Sequence, residues 1–378
     1  MVRMGKRFYD IAVNATDCMF HGSYNGKKYH DIDLINVFKR AYQQNVLCCL
    51  LTGSSIKESI ITKSIANEYA TTSLFKLPSL YYTIGVHPCS VNEFITYNNN
   101  YNNKTDHTLS NDQFFQLAQD SPLVPVENLN LLLQLWKDSL NDPKFRALGE
   151  MGLDYDRLNY SSKEMQLLFF KEQLKLSCDP QLQHLPLFLH MRNCSEDFIP
   201  ILNQFINGYH DTSMISPNDP PRLYKFSDQR LMVVHSFTDS TQDMCDLVNL
   251  SPNIYIGLNG ASLRSQQNLD TVKEIPLDRI LIETDSPWCE IRKSHPSYQW
   301  LHKEDGEIQP RYEEPYKTVK KDKLQGKPDD EKQVTMVKSR NEPCLVEQVA
   351  IVVSQLKNIP YDEFVDTVWE TSCKIYGE

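Results

Sequence analysis

Six polar side chains that could bind a metal ion or transfer a proton occur at or near the ends of short apolar runs. They are Asn14, His87, Glu150, His190, His235 and Asp285. Imidazole nitrogens and carboxylate oxygens bind divalent cations, and a cation with open coordination positions can activate water for hydrolysis. A carboxylate beside the ion can accept the proton of the attacking water. These residue types therefore indicate metal-dependent hydrolysis.

Each of these residues, taken alone, also has an ordinary structural explanation. A single histidine at a strand end is more often structural than a ligand, and Glu150 in a glycine-rich run could stabilise a turn. Asp285 precedes Ser286-Pro287 and could cap a turn or a helix. Asp10, inside the first apolar run, is predicted to be a buried hydrogen-bonded group or a weak ligand. The hydrolase interpretation therefore depends on these side chains meeting at one place.

Eight short apolar runs predict the strands that position these residues. The runs are 8–14, 46–52, 80–87, 147–153, 185–190, 231–236, 254–259 and 280–285. Most are continuously apolar, as in parallel strands that are covered on both faces. Amphipathic helical segments separate them, so we predict an α/β fold, a (β/α)₈ TIM barrel whose strand ends meet at one mouth. A doubly wound open sheet is the alternative.

Two segments interrupt the alternation of strands and helices. The first, at about 96–142, begins with an Asn-rich loop and continues into a helical piece at 129–140. The second, at about 294–340, is charged and contains a lysine cluster: Lys317, Lys320, Lys321, Lys323 and Lys327. We predict a single domain over 1–378 with two surface insertions. The second insertion is either a flexible surface segment or a basic flap that contacts phosphates at the mouth.

Composition and charge exclude several classes of protein. No stretch approaches the roughly 20 apolar residues of a membrane-spanning helix. The first predicted strand begins near Arg7, so we expect neither a signal nor a transit peptide. Ten cysteines without a CxxC pair predict reduced thiols in the cytoplasm or nucleus. The net charge of −10 is unusual for a nucleic-acid-binding protein, so local basic loops or bound cations would have to attract such a substrate.

Other catalytic motifs are missing from the sequence. It contains no GxSxG elbow, no Walker A loop and no GxGxxG after a predicted strand. A thiol nucleophile is a minor alternative, because three cysteines lie near the predicted rim: Cys89, Cys194 and Cys289.

Seven motifs, taken in order, make the sequence similar to the TatD family of metal-dependent deoxyribonucleases, especially its eukaryotic branch. They are DIAVNATD from Asp10, IGVHP from Ile84, GEMGLDYDR from Gly149, PLFLHMRN from Pro186, VVHSF from Val233, IGLNG from Ile256 and IETDSPW from Ile282. The resemblance covers about 8–376, interrupted by the two insertions. It implies a TIM barrel of the amidohydrolase-like group, DNA as the substrate, 3′–5′ exonuclease activity and Mg²⁺ as the usual cofactor.

The resemblance also implies roles for individual residues. By position, it gives four metal ligands: Glu150, His190, His235 and Asp285. Glu150 and Asp285 would also be catalytic, with Asp285 orienting or deprotonating the attacking water. His87 would contact the scissile phosphate and assist catalysis. Arg192, two residues after His190, is our own candidate for a further phosphate contact.

One departure from the family pattern concerns the first strand. Bacterial members typically have a His-x-His pair where this chain has Ala12 and Asn14. Asn14 offers only a weak carbonyl ligand, so we expect one firm site formed by Glu150 and the two later histidines. A second, weaker ion would be shared by Glu150 and Asp285. Mg²⁺ prefers oxygen ligands and is the expected working ion, whereas the imidazoles would also accept Zn²⁺ or Mn²⁺.

Alternative functions remain open from sequence alone. The same barrel could serve a small-molecule amidohydrolase or lactonase, or an esterase that removes aminoacyl groups from tRNA. The missing His-x-His pair also allows a metal-poor, non-catalytic binding protein. For the deoxyribonuclease interpretation, DNA is the expected partner, and we expect neither membrane association nor an obligatory protein partner.

Overall fold

The computed structural model of this chain describes residues 6–70, 75–97, 109–121, 123–211, 222–301 and 312–378. Eight parallel strands follow one another in chain order in a single sheet. They are β1 Phe8–Val13, β2 Val46–Leu51, β3 Ser79–Ile84, β4 Phe145–Asp154, β5 Leu187–Arg192, β6 Met232–His235, β7 Ile254–Leu258 and β8 Ile280–Ile282. This order confirms the predicted (β/α)₈ barrel.

The seam between β1 and β8 brings the sheet close to full closure. A parallel bridge joins Val13 and Ser286, just beyond the end of β8. The backbone N–H of Asp285 donates to the carbonyl of Ala12 at 3.0 Å, and that of Asn14 donates to Ser286 at 2.8 Å. These bonds satisfy backbone groups that would be exposed at the edges of an open sheet. The doubly wound alternative is therefore wrong.

Helices connect the strands and surround the barrel. They are α1 Leu34–Gln43, α2 Ile56–Ala70, α3 Glu93–Thr96, α4 Asn111–Asp120, α5 Leu123–Ser139, α6 Lys163–Ser177, α7 Ser195–Asn207, α8 Thr241–Leu250, α9 Gln266–Glu274, α10 Tyr298–Leu301, α11 Lys321–Leu324, α12 Asp329–Gln333, α13 Val346–Leu356 and α14 Tyr361–Tyr376. Serine side chains cap α6, α8 and α9 by accepting a backbone N–H of the first turn. Within the described ranges, no helix is both long and apolar enough to cross a membrane.

The inside of the barrel is filled at the amino ends of the strands. Alternate strand residues such as Tyr9 and Ile11 belong to an inner cluster, separate from the larger core between strands and helices. Trp369 and Tyr376 of α14 belong to the same inner cluster, and their rings lie 6.3 Å and 6.0 Å from the Tyr9 ring. Because this end is closed by aromatic side chains, the open end for chemistry is the mouth at the carboxyl ends.

The segment predicted as the first insertion contributes to the barrel itself. Leu132 and Trp136 of α5 are buried in the main core, and the Trp136 indole donates to the carbonyl of Ile84 at 2.8 Å. Helix α5 is thus the connection that leads from β3 to β4. Residues 98–108, which hold most of the predicted Asn-rich loop, lie outside the described residues.

The described part of the second insertion, from residue 312, is attached to α1 and the loop before it. Arg340 makes a two-pronged pair with Asp33, with both N–O distances 2.7 Å. Arg40 pairs in the same way with Glu342 at 2.7 and 3.0 Å. All four side chains are buried, and such forked pairs fix geometry as well as charge. The network therefore holds this end of the insertion against the barrel.

Candidate active site

Glu150 projects from an irregularity in the middle of β4. In the pairing of β4 with β5, Gly149 faces Phe188 and Met151 faces Leu189, so Glu150 is the additional residue of a bulge. Bulges change the direction of a side chain. Glycine is required at position 149, where φ is +141° and an added Cβ would lie 2.0 Å from the carbonyl oxygen of Phe188. The glycine-rich run thus turns the Glu150 carboxylate toward the mouth.

Three histidines surround one oxygen of Glu150. Its Oε1 lies 2.7 Å from His235 Nε2 and 2.9 Å from His190 Nδ1. His87 Nε2 is 3.4 Å from the same oxygen. His190 comes from β5, His235 ends β6, and His87 follows β3. The structure therefore brings these four sequence-predicted residues together.

The two histidines nearest Glu150 each have a second carboxylate on the far side of the ring. His190 Nε2 lies 3.4 Å from Asp154 Oδ2, and His235 Nδ1 lies 3.5 Å from Glu283 Oε1. A histidine that binds a metal usually points its other nitrogen at such a carboxylate, which fixes the ring orientation. Our sequence analysis missed both acids. Asp154 ends β4 and Glu283 directly follows β8, so their positions at strand ends were the available signal.

The charges in this cluster favour a cation. Burial disfavours ionisation of Glu150, but His87 and His235 outweigh it and hold the pKa of the carboxyl well below its usual range. Burial likewise lowers the pKa values of His190 and His235, but the adjacent carboxylates raise both pKa values above the usual value. The carboxylates therefore attract positive charge, either protons on the rings or a metal ion in their place.

His87 differs from the other two histidines. Burial lowers the pKa of His87 to about 4, so its ring is neutral near pH 7. The backbone N–H of Cys89 donates to His87 Nδ1 at 3.0 Å, which leaves the single ring proton on Nε2. A protonated nitrogen cannot coordinate a metal. His87 therefore offers the mouth an N–H donor.

Within the described residues, two groups of three ligand atoms lie within 4.8 Å of one another: Glu150, His190 and His235, and His87, Asp154 and His190. The tautomer of His87 disfavours the second group. The first group fits a divalent ion, because both buried ring nitrogens of His190 lack an aligned hydrogen bond. Its one oxygen and two nitrogens leave coordination positions for water and substrate, as in catalytic sites.

Asp285 lies at the seam between β8 and β1, where Asn14 holds it. The Asn14 amide nitrogen is 2.8 Å from Asp285 Oδ1 and also lies 3.4 and 3.3 Å from the carbonyl oxygens of Asp285 and Ser286. Asn14 thus acts as a hydrogen-bond donor here, with its nitrogen toward Asp285. We expected Asp285 to ligate a second ion with Glu150, but in the described part of the chain it belongs to neither ligand group. Burial raises the pKa of Asp285 to about 6.

Asp10 and Arg192 are engaged with protein partners. Asp10 is buried and accepts from the backbone N–H and the hydroxyl of Thr284 at 2.9 and 2.6 Å. It therefore ties β1 to the segment after β8. Arg192 Nε donates to Asp156 at 2.8 Å, so a phosphate contact by Arg192 stays a prediction.

The rim cysteines do not fit a thiol nucleophile. Burial raises the pKa of Cys89 to about 12 and raises the pKa values of Cys194 and Cys289 as well. These side chains are protonated near pH 7, whereas the thiolate is the reactive form.

A parallel barrel with a buried Glu-His-His group at its mouth defines the class of metal-dependent barrel hydrolases. The family model for TatD related DNase matches residues 20–377. The chain is 45% identical over 387 residues to a Deoxyribonuclease Tat-D of Saccharomyces cerevisiae, with 98% of this chain and 91% of that protein covered. This protein belongs to the TatD-related DNase family.

Two further comparisons agree with this assignment. A crystal structure of an amidohydrolase from Saccharomyces cerevisiae superposes with a TM-score of 0.87 and 44% identity, covering 98% of this chain and 100% of that one. A 3′-5′ ssDNA/RNA exonuclease TatD of Erwinia amylovora is 29% identical over 291 residues, covering 76% of this chain and 83% of that protein.

Proposed function

We propose that this protein is a metal-dependent deoxyribonuclease that removes nucleotides from the 3′ end of single-stranded DNA. The observation that carries the proposal is the convergence of Glu150, His190 and His235 at the barrel mouth, in a chain of this family. The Erwinia relative is named a 3′-5′ ssDNA/RNA exonuclease, which supports the polarity and the single-stranded substrate.

The chain's own residues divide the chemistry between them. Glu150, His190 and His235 would hold the ion, which would supply positive charge for the phosphate and lower the pKa of a water molecule. Asp285, with its pKa raised to about 6 by burial, accepts the proton of the attacking water. The neutral His87 ring donates its Nε2 proton in a hydrogen bond to a phosphate oxygen. Asn14 keeps Asp285 oriented through the 2.8 Å bond.

The working ion is proposed to be Mg²⁺, and the chain holds one ion firmly. Mg²⁺ keeps several waters and relies on substrate phosphates, which suits a site with few protein ligands. The two imidazoles also accept Zn²⁺ or Mn²⁺. A further ion would depend on substrate phosphates, because Asp285 is held by Asn14.

Two broader features belong to the same proposal. We propose that residues 1–378 act as a single hydrolase domain, supported by the attachment of the described insertion segments to the barrel core. We also propose a cytoplasmic or nuclear location, because all ten cysteines are free thiols, as in reducing compartments.

The test is degradation of DNA labelled at either the 3′ or the 5′ end, in single- and double-stranded form. EDTA-stripped protein receives Mg²⁺, Mn²⁺ or Zn²⁺ in separate reactions. We expect metal-restored cleavage that shortens the single strand from its 3′ end. His190→Ala should abolish cleavage, whereas His210→Ala, an exposed histidine, should retain it.

Failure to cleave DNA with every metal would overturn the deoxyribonuclease proposal. The same stripped and reloaded protein would then be assayed on small amides, lactones and aminoacyl-tRNA. Hydrolysis of one of these substrates, again abolished by His190→Ala, would assign the mouth to another substrate class.

A further inference from the structure

We propose that a basic cleft, which begins at the segment after the barrel mouth and extends along the barrel wall, holds the backbone of the single-stranded DNA substrate beyond the bond that is cut. Trp288 lies between the mouth residue Asp285 and the first cleft residues in the chain, and it stacks on a base of the bound strand. This inference rests on the proposed nuclease function and extends it. The cleft has a volume of about 950 Å³ and lies between the segment 290–293, which follows β8, and the second insertion.

The residue that directly follows the second insertion, Asn341, is bonded to the segment that carries Asp285. The Asn341 side chain donates to the carbonyls of Thr284 and Trp288 at 2.9 and 2.8 Å. Its backbone N–H donates to the carbonyl of Pro287 at 3.0 Å. The cleft and the mouth are therefore built on the same stretch of backbone, so a strand that leaves the mouth along this segment reaches the cleft.

The charge of the cleft is opposite to that of the whole chain. Four exposed cationic side chains line it: Arg292, Lys293, Lys317 and Lys338. Arg292 pairs with Glu290 at 3.1 Å, and Glu314 is the other acid of the lining. In the described ranges, the three lysines form no ion pair, so their charges remain available for phosphates. A protein with a net charge of −10 needs such a local basic surface to attract DNA.

Aromatic side chains accompany the charges. Trp288 follows Asp285 by three residues and is 54% exposed, which is unusual for so large an apolar side chain. Its backbone N–H donates to the carbonyl of Asp285 at 3.1 Å, so the indole is attached at the mouth. Tyr298 and Tyr316 line the cleft itself. Both tyrosines are half-buried, so Trp288 is the exposed ring available for stacking. A basic groove with an aromatic ring for base stacking is the combination that binds single strands without sequence preference.

The test compares two triple variants with equal charge changes. The cleft variant is Lys293→Ala, Lys317→Ala and Lys338→Ala. The control variant is Lys76→Ala, Lys225→Ala and Lys273→Ala, whose residues are exposed, precede β3, β6 and β8, and do not line the cleft. Thermal unfolding checks that both variants fold.

Binding of a fluorescent oligothymidine is measured by anisotropy across a range of salt concentrations, in a Glu150→Gln background that does not cut. The slope of log affinity against log salt should fall by about 2 in the cleft variant, because each single-strand phosphate contact contributes about 0.7. Trp288→Ala should weaken binding roughly tenfold, the effect of losing one stacked base. The control variant should keep the wild-type slope.

Cleavage separates the two proposals. The cleft variant should cut long oligothymidine with a raised KM, but hydrolyse bis(p-nitrophenyl) phosphate, which is too small to reach the cleft, at the wild-type rate. Equal salt slopes for cleft and control variants would overturn the cleft proposal while leaving the nuclease intact. Absence of cleavage by wild-type protein would instead overturn the proposed function, and the anisotropy slopes would still decide whether the cleft binds DNA.

Discussion

Each half of the barrel mouth contains a carboxylate, but the residues around the two carboxylates differ. On the β4–β6 side, Glu150 faces His190 and His235 at 2.9 and 2.7 Å. On the β8–β1 side, Asp285 faces Asn14 at 2.8 Å and the Cys289 thiol at 3.2 Å. Both carboxylates lie at one rim. Glu150 is buried among three imidazole rings, whereas Asp285 is half-buried beside an amide and a thiol that donate to it.

This difference supports the proposal that Glu150 binds the metal, whereas Asp285 remains available for proton transfer. A carboxylate among imidazoles shares a cation with them, because each neutral ring contributes a lone pair. The amide N–H of Asn14 occupies one acceptor site of the Asp285 carboxylate and fixes its orientation, which leaves other lone pairs able to accept a proton. The Asn14 contact therefore supports the proposed role of Asp285 as a base, whereas metal ligation by Asp285 stays a prediction.

The largest effect is expected for Glu150→Gln, which should abolish metal binding on the β4–β6 side of the mouth. The amide keeps the shape of the side chain but removes the charge that both histidines share. Metal content, measured by mass spectrometry after loading with Mn²⁺, should fall to background together with DNA cleavage. Glu274→Gln, an exposed residue of α9, is the matched control. Full metal occupancy in Glu150→Gln would show that the ion binds elsewhere.

Asp285→Asn tests the other half and should separate catalysis from metal binding. Cleavage should fall roughly 10²- to 10⁴-fold, the usual contribution of a general base, whereas metal content should remain at the wild-type level. In the wild type, kcat/KM should rise with pH through about 6, because burial raises the pKa of Asp285 to that value and only the ionised form accepts a proton. In the Asp285→Asn variant, kcat/KM should not show this rise with pH. Loss of metal from Asp285→Asn would make Asp285 a ligand after all.

The carboxylates behind the metal-binding rings should have a smaller effect. Asp154→Asn and Glu283→Gln would each weaken metal affinity by about 10- to 100-fold, because the rings lose the charge that orients them. Competition with a fluorescent chelator measures this affinity, and excess metal should restore much of the cleavage. Asp278→Asn, an exposed aspartate just before β8, should leave affinity unchanged. A loss that excess metal does not rescue would indicate a purely structural role.

The sequence alone was sufficient for the barrel and for the residues around Glu150, because strand ends and motif order depend on local patterns. Asp154 was missed because β4 extends one residue beyond the predicted run, to the position where Asp154 meets His190. The donor role of Asn14 could not be predicted, since it depends on the seam between β1 and β8, two elements 271 residues apart. The role of Asn14 therefore depends on a contact between elements far apart in the chain, which a local sequence pattern cannot predict.

Asp10→Asn should have the smallest effect on activity and a distinct effect on stability. Asp10 is fully buried at the seam, and burial raises its pKa to about 8 from an ordinary value of 3.8. Between these two pH values the folded state retains a proton that the unfolded state has lost. The free energy of unfolding should therefore fall as pH rises through this window, by at most about 1.4 kcal/mol for each pH unit from this group. Above about 8 its contribution should level off.

The measurement is urea unfolding of the wild type and of Asp10→Asn at several pH values across that window. An asparagine carries no titrating proton, so the variant should gain stability relative to the wild type as pH rises from 5 to 8. Metal affinity and cleavage should change little, because Asp10 contacts Thr284 rather than the Glu150 group. A stability difference that does not vary with pH would mean that Asp10 is ionised throughout. The two Thr284 donors and the backbone N–H of Ala12, at 3.3 Å, would then outweigh burial. The seam would contain a second charged carboxylate beside Asp285.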